Sequence, residues 1–148
     1  MMSNPSDYLE QFVEAGADCL TIHGEIVGDK AAILEKIKAL GVSAGIAINP
    51  RTSLSEVEGL LDLCDLLLIM SVDAGFGGQA FNPVALEKLK RVQETHPELL
   101  LEVDGGVNLK TIADCVQAGA QFLVVGSAIF GQDDYRQAVM RLTDAIGR

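Results

Sequence analysis

The residues best suited to chemistry fall in three short stretches, each following an apolar run: VDAGFGGQAF from Val72, EVDGGVN from Glu102 and VVGSAIF from Val124. Gly75, Gly77 and Gly78 free the backbone to turn sharply and to bring N–H groups against an anion. Gly105 with Gly106, and Gly126 with Ser127, offer the same after later runs. Between them Asp104 supplies a carboxylate able to move a proton or ligate a cation. Each feature has a plainer reading: glycine clusters make tight turns, Asp before Gly-Gly is ordinary turn chemistry, and Met70 is core. His23 also closes an apolar run, where a hydrogen-bonded histidine is a simpler reading than a metal ligand. His96, before Pro97, reads as a surface partner of a helix carboxyl end. The EVDGG run has no second Asp or His at ligand spacing, so it does not make a metal site alone.

The elements that position these residues follow from periodicity. Leu66–Met70 has no polar face, which suits a strand of a parallel sheet covered on both sides. Before it, Asn4–Gly16 reads as a helix with Tyr8, Leu9, Phe12 and Val13 on one face. Asp18–His23 is a short strand, Lys30–Leu40 a helix, and Ser43–Asn49 a second strand. Ser53 or Ser55 then caps a helix carrying Val57, Leu60 and Leu61. After the glycine loop, Pro83 opens a helix whose stripe is Leu86, Leu89 and Val92, and Leu99–Val103 is a buried strand. Asn108 caps the next helix, which Gly119 ends, and Phe122–Val125 is the last strand. A short turn through Phe130 leads to a closing helix, starting near Asp133 and Asp134, with Tyr135, Ala138, Val139, Leu142 and Ile146 inward.

Five strands thus alternate with helices and no hairpin signal intervenes, so the class is α/β with parallel strands. Residues 1–148 are expected to form one domain. Both an open doubly wound sheet and part of an eight-stranded barrel place ligands at the carboxyl ends of strands, where the polar and glycine residues collect. Glycine loops after successive late strands, with a short extra helix after the last, favour the barrel.

A net charge of −10, from 11 Lys and Arg against 21 Asp and Glu, argues against nucleic acid or an anionic membrane as partner. It leaves a phosphorylated small molecule open, because backbone N–H groups bind phosphate whatever the global charge. No apolar run approaches a membrane span and no signal peptide is visible, so a cytoplasmic location is expected. Cys19, Cys64 and Cys115 read as reduced, mostly buried thiols.

Taken together, VDAGFGGQAF, EVDGGVN and VVGSAIF closely resemble the ribulose-phosphate 3-epimerase family, and NPSDYLEQFVEAGADCLTIHGE resembles its third helix and fourth strand. The resemblance covers essentially the whole chain. It implies a partial TIM-type (β/α) barrel of about five units, lacking the family's first three strands. It also implies metal-assisted acid/base epimerisation at C3 between D-ribulose 5-phosphate and D-xylulose 5-phosphate, in the pentose phosphate pathway.

By that resemblance Asp104 is one of the acid/base pair and a ligand of a divalent cation, Fe²⁺, Zn²⁺, Mn²⁺ or Co²⁺. Gly75, Phe76, Gly77, Gly78, Gly105, Gly106, Gly126 and Ser127 form the substrate and phosphate cradle, and Met70 shields the reacting carbons. Ala74 stands where the family commonly has proline. The second aspartate and both metal-binding histidines belong to strands outside this sequence, so the chain alone is expected to be inactive. The expected partners are a phosphorylated ketopentose and further copies of the chain. A non-catalytic phosphosugar binder, a self-assembling half-barrel and an epimerase of a six-carbon ketose phosphate are the alternatives.

Overall fold

The structure is a computed structural model and describes residues 1–76 and 78–147. Its centre is a sheet of five parallel strands: β1 (Cys19–His23), β2 (Ser43–Ile48), β3 (Leu66–Met70), β4 (Leu100–Asp104) and β5 (Phe122–Val124). Their spatial order is their chain order. A doubly wound sheet reverses its order at a switch point. Sequential parallel order without reversal is that of consecutive barrel units, and it decides between the two architectures.

The helices are α1 (Leu9–Glu14), α2 (Lys30–Ala39), α3 (Glu58–Leu61), α4 (Val84–Thr95), α5 (Ile112–Gln117), α6 (Ser127–Phe130) and α7 (Tyr135–Ala145). Their starts are set by polar caps: Asp29 accepts the Ala32 N–H at 3.1 Å, and Asp134 accepts the Gln137 N–H at 2.9 Å. Ser53, not Ser55, caps the segment before α3, in a reciprocal box with Glu56. Asn108 instead shapes the turn before α5, its Oδ1 accepting the Lys110 N–H at 2.9 Å. Among the described residues no helix is long and apolar enough to cross a membrane.

One core joins the helices to alternate strand residues. Ile46, Ile48, Leu67, Ile69, Leu101 and Val103 are fully buried against Leu34, Ile37, Leu89 and Cys115. The intervening residues point to the other face, which is covered only in part: Gly45, Ala47 and Met70 are buried there, but the rest of that face is not, so the expectation of strands covered on both sides holds for those positions alone. Leu66 and Leu68 are only half-buried, and Leu100 and Phe122 are 40% and 48% exposed. The helices cover one face; the other is the concave side that a closed barrel turns inward.

Three further readings need correction. The first helix is shorter than Asn4–Gly16, being a 3₁₀ turn (Pro5–Asp7) followed by α1, and only Leu9 of its apolar residues is buried. In α7, Tyr135 and Val139 are exposed while Ala138 and Leu142 face the core. Cys19 is exposed, because it lies on the concave face at the edge strand; Cys64 and Cys115 are buried as expected.

Candidate active site

Parallel strands bring every carboxyl end to one edge. There Met70, the last residue of β3, is the register partner of Asp104, the last residue of β4. Ser71 extends that pairing: its N–H donates to the Asp104 carbonyl at 2.7 Å and its hydroxyl donates to the Gly105 carbonyl. Ser71 is wholly buried, so the turn after Asp104 is anchored from β3. Gly106 completes the turn at φ +62°, and a Cβ there would lie 2.8 Å from the Phe81 Cα. Only glycine lets the β4 turn pass beneath the loop that follows β3.

That loop is tied at two points. Gln79 Nε2 donates to the carbonyls of Asp73 and Phe76, at 3.0 and 2.8 Å. The Ala74 N–H donates to Asn49 Oδ1 at 3.2 Å, joining the loop to the end of β2. Gly75 turns at φ +139°, and Phe76 projects into solvent.

Three cavities open at this edge: one of ≈ 520 Å³ bordered by His23, Glu25, Asn49 and Ala74, and two that share Met70 and Asp104 as walls. The smaller of these two, ≈ 160 Å³, is walled by Gly75, Phe76, Gly105, Gly106, Gly126 and Ser127, from the loops after three different strands. The larger of the two, ≈ 330 Å³, is walled by His23, Ile22, Ala47 and Leu68 among others, and falls in the ~300–1,000 Å³ range of small-molecule sites. Met70 and Asp104 line both. Gly78 lines neither, and Gly77 lies outside the described residues.

A hydrogen-bonded chain crosses the mouth beside them. His23 Nδ1 donates to Glu25, whose other carboxylate oxygen accepts the Asn49 N–H at 2.9 Å and the Thr52 hydroxyl. Burial tends to raise the Glu25 carboxyl, but the bonds from Thr52, Asn49 and His23 outweigh it and hold it below its ordinary value. Lys88 of α4, only 8% exposed, donates to the carbonyls of Asn49, Pro50 and Thr52 at 2.9, 2.9 and 2.7 Å. Burial lowers its ammonium, against the opposing pull of Glu25 and Glu56. On the concave face Glu102 is raised by burial and then by the neighbouring Asp104 charge.

A divalent cation site needs several donors converging. Among the described residues no group of three His, Cys, Asp or Glu comes together. Asp104 offers a carboxylate, but the residues present do not make a metal site.

The model of the ribulose-phosphate 3 epimerase family matches residues 1–130. The chain belongs to that family. The ribulose-phosphate 3-epimerase of Bacillus subtilis (strain 168) is 41% identical over 147 residues, which cover 96% of this chain and 68% of that protein. That of Aquifex aeolicus (strain VF5) is 42% identical over 146 residues, covering 96% and 66%. The chain thus spans about two thirds of the length of these curated relatives. The fold is also that of KGPDC from Streptococcus mutans in complex with D-R5P, with TM-score 0.77, 17% identity, and coverage of 97% of this chain and 67% of that one.

Within this family member, sequence reasoning missed Lys88 and the pairing of His23 with Glu25. The His-x-Glu spacing at a strand end was a signal for the second. Lys88, in the run EKLKR, looks like one more surface cation, and only the fold shows that its stem crosses to the loop after β2.

Proposed function

We propose that the chain binds a phosphorylated ketopentose and moves the proton at its C3, the chemistry by which D-ribulose 5-phosphate and D-xylulose 5-phosphate are interconverted. The observation that carries this reading is the position of Asp104 and Met70 where the two cavities meet. The glycine-lined cavity takes the phosphate through backbone N–H groups, as loops of this kind do. The sugar then extends past Met70 into the larger cavity and C3 comes to Asp104. A C3 proton is acidic because the electrons left behind spread onto the neighbouring C2 carbonyl. The Asp104 carboxylate accepts that proton, giving an enediolate, and can return it from the same face. Met70 and Leu68 keep water from the carbanionic face.

Asp104 is the one carboxylate lining both cavities, so the described residues serve one face of the substrate. Inversion needs an acid on the opposite face. A divalent cation would supply charge stabilisation for the enediolate oxygens; of the described residues Asp104 would offer it a carboxylate, and no step here depends on it. The reading carries with it a cytoplasmic place in pentose phosphate metabolism.

The test is calorimetric titration with ribulose 5-phosphate, followed by NMR of the C3 hydrogen in D₂O. Binding and Asp104-dependent washout of that hydrogen are expected. Absence of binding up to millimolar ligand overturns the reading.

Self-association is a second reading, favoured by the exposure of Leu100, Phe122 and Val124 on the concave face and by the outer edges of β1 and β5. Sedimentation showing a compact monomer would count against it.

A further inference from the structure

Among the described residues one hydrogen bond joins residues 72–81 to the rest of the chain, and it is the one from the Ala74 N–H to Asn49 Oδ1 at 3.2 Å. The bonds from Gln79 to Asp73 and Phe76 only close the glycine loop on itself. Asp73 also lies 3.6 Å from Arg51, but both side chains are exposed, and a surface pair of this kind holds little. The polar tether of the loop is therefore the Asn49 side chain.

Asn49 is itself pinned from both sides. Its N–H donates to Glu25 at 2.9 Å, and its carbonyl accepts Lys88 Nζ at 2.9 Å and the Thr52 N–H at 3.2 Å. A backbone N–H only donates, so the atom that meets Ala74 is the amide oxygen. Glu25 and the buried Lys88 thus share one effect: they hold still the backbone that carries this oxygen.

Asn49 lines neither of the cavities that share Met70 and Asp104; with Ala74 it borders the third, of ≈ 520 Å³. The chain neighbours of Ala74, Asp73 and Gly75, wall the ≈ 160 Å³ cavity instead. The loop is a partition, tethered on one side and offering its glycine backbone on the other. Ordering a loop on binding costs conformational entropy, so a loop already ordered binds more tightly.

We infer that Asn49 is a positioning residue for anion binding: its oxygen seats the glycine loop before a phosphate group arrives, without touching the ligand. This rests on the phosphosugar reading above and gives the bonds of Glu25 and Lys88 a role in binding.

The experiment is a double-mutant cycle in the 148-residue chain. Wild type, Asn49→Ala, Ala74→Pro and the double variant are titrated by calorimetry with ribulose 5-phosphate and separately with inorganic phosphate. Proline has no N–H, so Ala74→Pro removes the donor as Asn49→Ala removes the acceptor. Asn49→Ala should weaken both ligands about fivefold, and by the same factor, since the loop meets only the phosphate group. Added to Ala74→Pro, the same change should shift affinity less than about twofold. Hydrogen exchange of the Ala74 amide in wild type is independent of how the variants fold, and it should be slow in the free protein.

An equal loss in both backgrounds overturns the inference, because Asn49 would then act through the β2 loop and not through Ala74. So does unchanged affinity in folded Asn49→Ala, a loss confined to ribulose 5-phosphate, or an Ala74 amide that exchanges like an open loop. Each of these leaves the phosphosugar reading standing. Wild type that binds neither ligand sinks both.

Discussion

Met70 and Asp104 stand opposite each other in the β3–β4 ladder, and both side chains border the two cavities. A carboxylate set beside an apolar thioether at such a junction can work on a carbon whose phosphate lies in one cavity and whose remaining hydroxyls lie in the other. Asp104→Asn keeps the size of the side chain and removes its basicity. Washout of the C3 hydrogen should fall at least ~10²-fold, with ribulose 5-phosphate affinity changed only a few-fold and an unaltered circular dichroism spectrum. Washout at the wild-type rate would remove Asp104 as the base.

Lys88 is the brace of the loop after β2. Lys88→Met preserves the packed stem but leaves the carbonyls of Asn49, Pro50 and Thr52 without their donor. Stability should drop by about 1–3 kcal/mol, read as a lower urea midpoint. Lys88→Arg should not rescue it, because a planar fork does not converge on three carbonyls around one nitrogen.

These two residues differ in how readily the sequence discloses them. Asp104 is announced by its surroundings: an apolar run fixes the strand, two glycines fix its end, and neighbouring motifs in register supply the context. The strand order follows from the same alternation of units. Lys88 has no such surroundings, because its three acceptors lie 36 to 39 residues earlier in the chain. Leu100 reads as part of a buried strand and is 40% exposed, and Phe122 of the last strand is 48% exposed, since hydrophobicity says that a side chain seeks burial without saying whether a covering surface is present. The alternation within β3 carries that information only once the helices are seen to lie on one side. His23 was legible as a strand-end residue at the mouth, but the tautomer that Glu25 imposes on its ring was not.

Glu25 contributes to the acid limb of the stability profile. Its folded pKa lies below the ordinary 4.5, so the stabilisation is fully present above that value and is lost as pH falls through the lowered folded pKa. Glu25→Gln should therefore be less stable than wild type at pH 7, with the difference shrinking as the pH approaches 3. Thermal melts across that window check it, and a difference that grows toward acid would contradict the sign.

The three thiols should separate cleanly. Burial raises all three thiols, Cys64 up to about 12 and Cys115 up to about 11, but Cys19 alone lies open, on the concave face. Alkylation proceeds through the thiolate and needs access. Brief iodoacetamide treatment at pH 8 should label Cys19 alone, and denaturant should release the other two. Peptide mass spectrometry reads the result, and rapid native labelling of Cys115 would contradict its burial in the core.

Gly106 tests the cradle without touching any charged group. At φ +62° an alanine is strained, and its Cβ would meet the Phe81 backbone, which does not yield as a side chain end would. Gly106→Ala should cost about 1–3 kcal/mol and force apart the β4 turn and the glycine loop, two of the walls of the smaller cavity. Inorganic phosphate affinity should fall with it. The same glycine changed to alanine leaves His23, Glu25 and Lys88 in place, so the His23 ring should keep its Nδ1–H tautomer by NMR. Phosphate binding that survives in the folded variant would mean that the anion does not lie between these two turns.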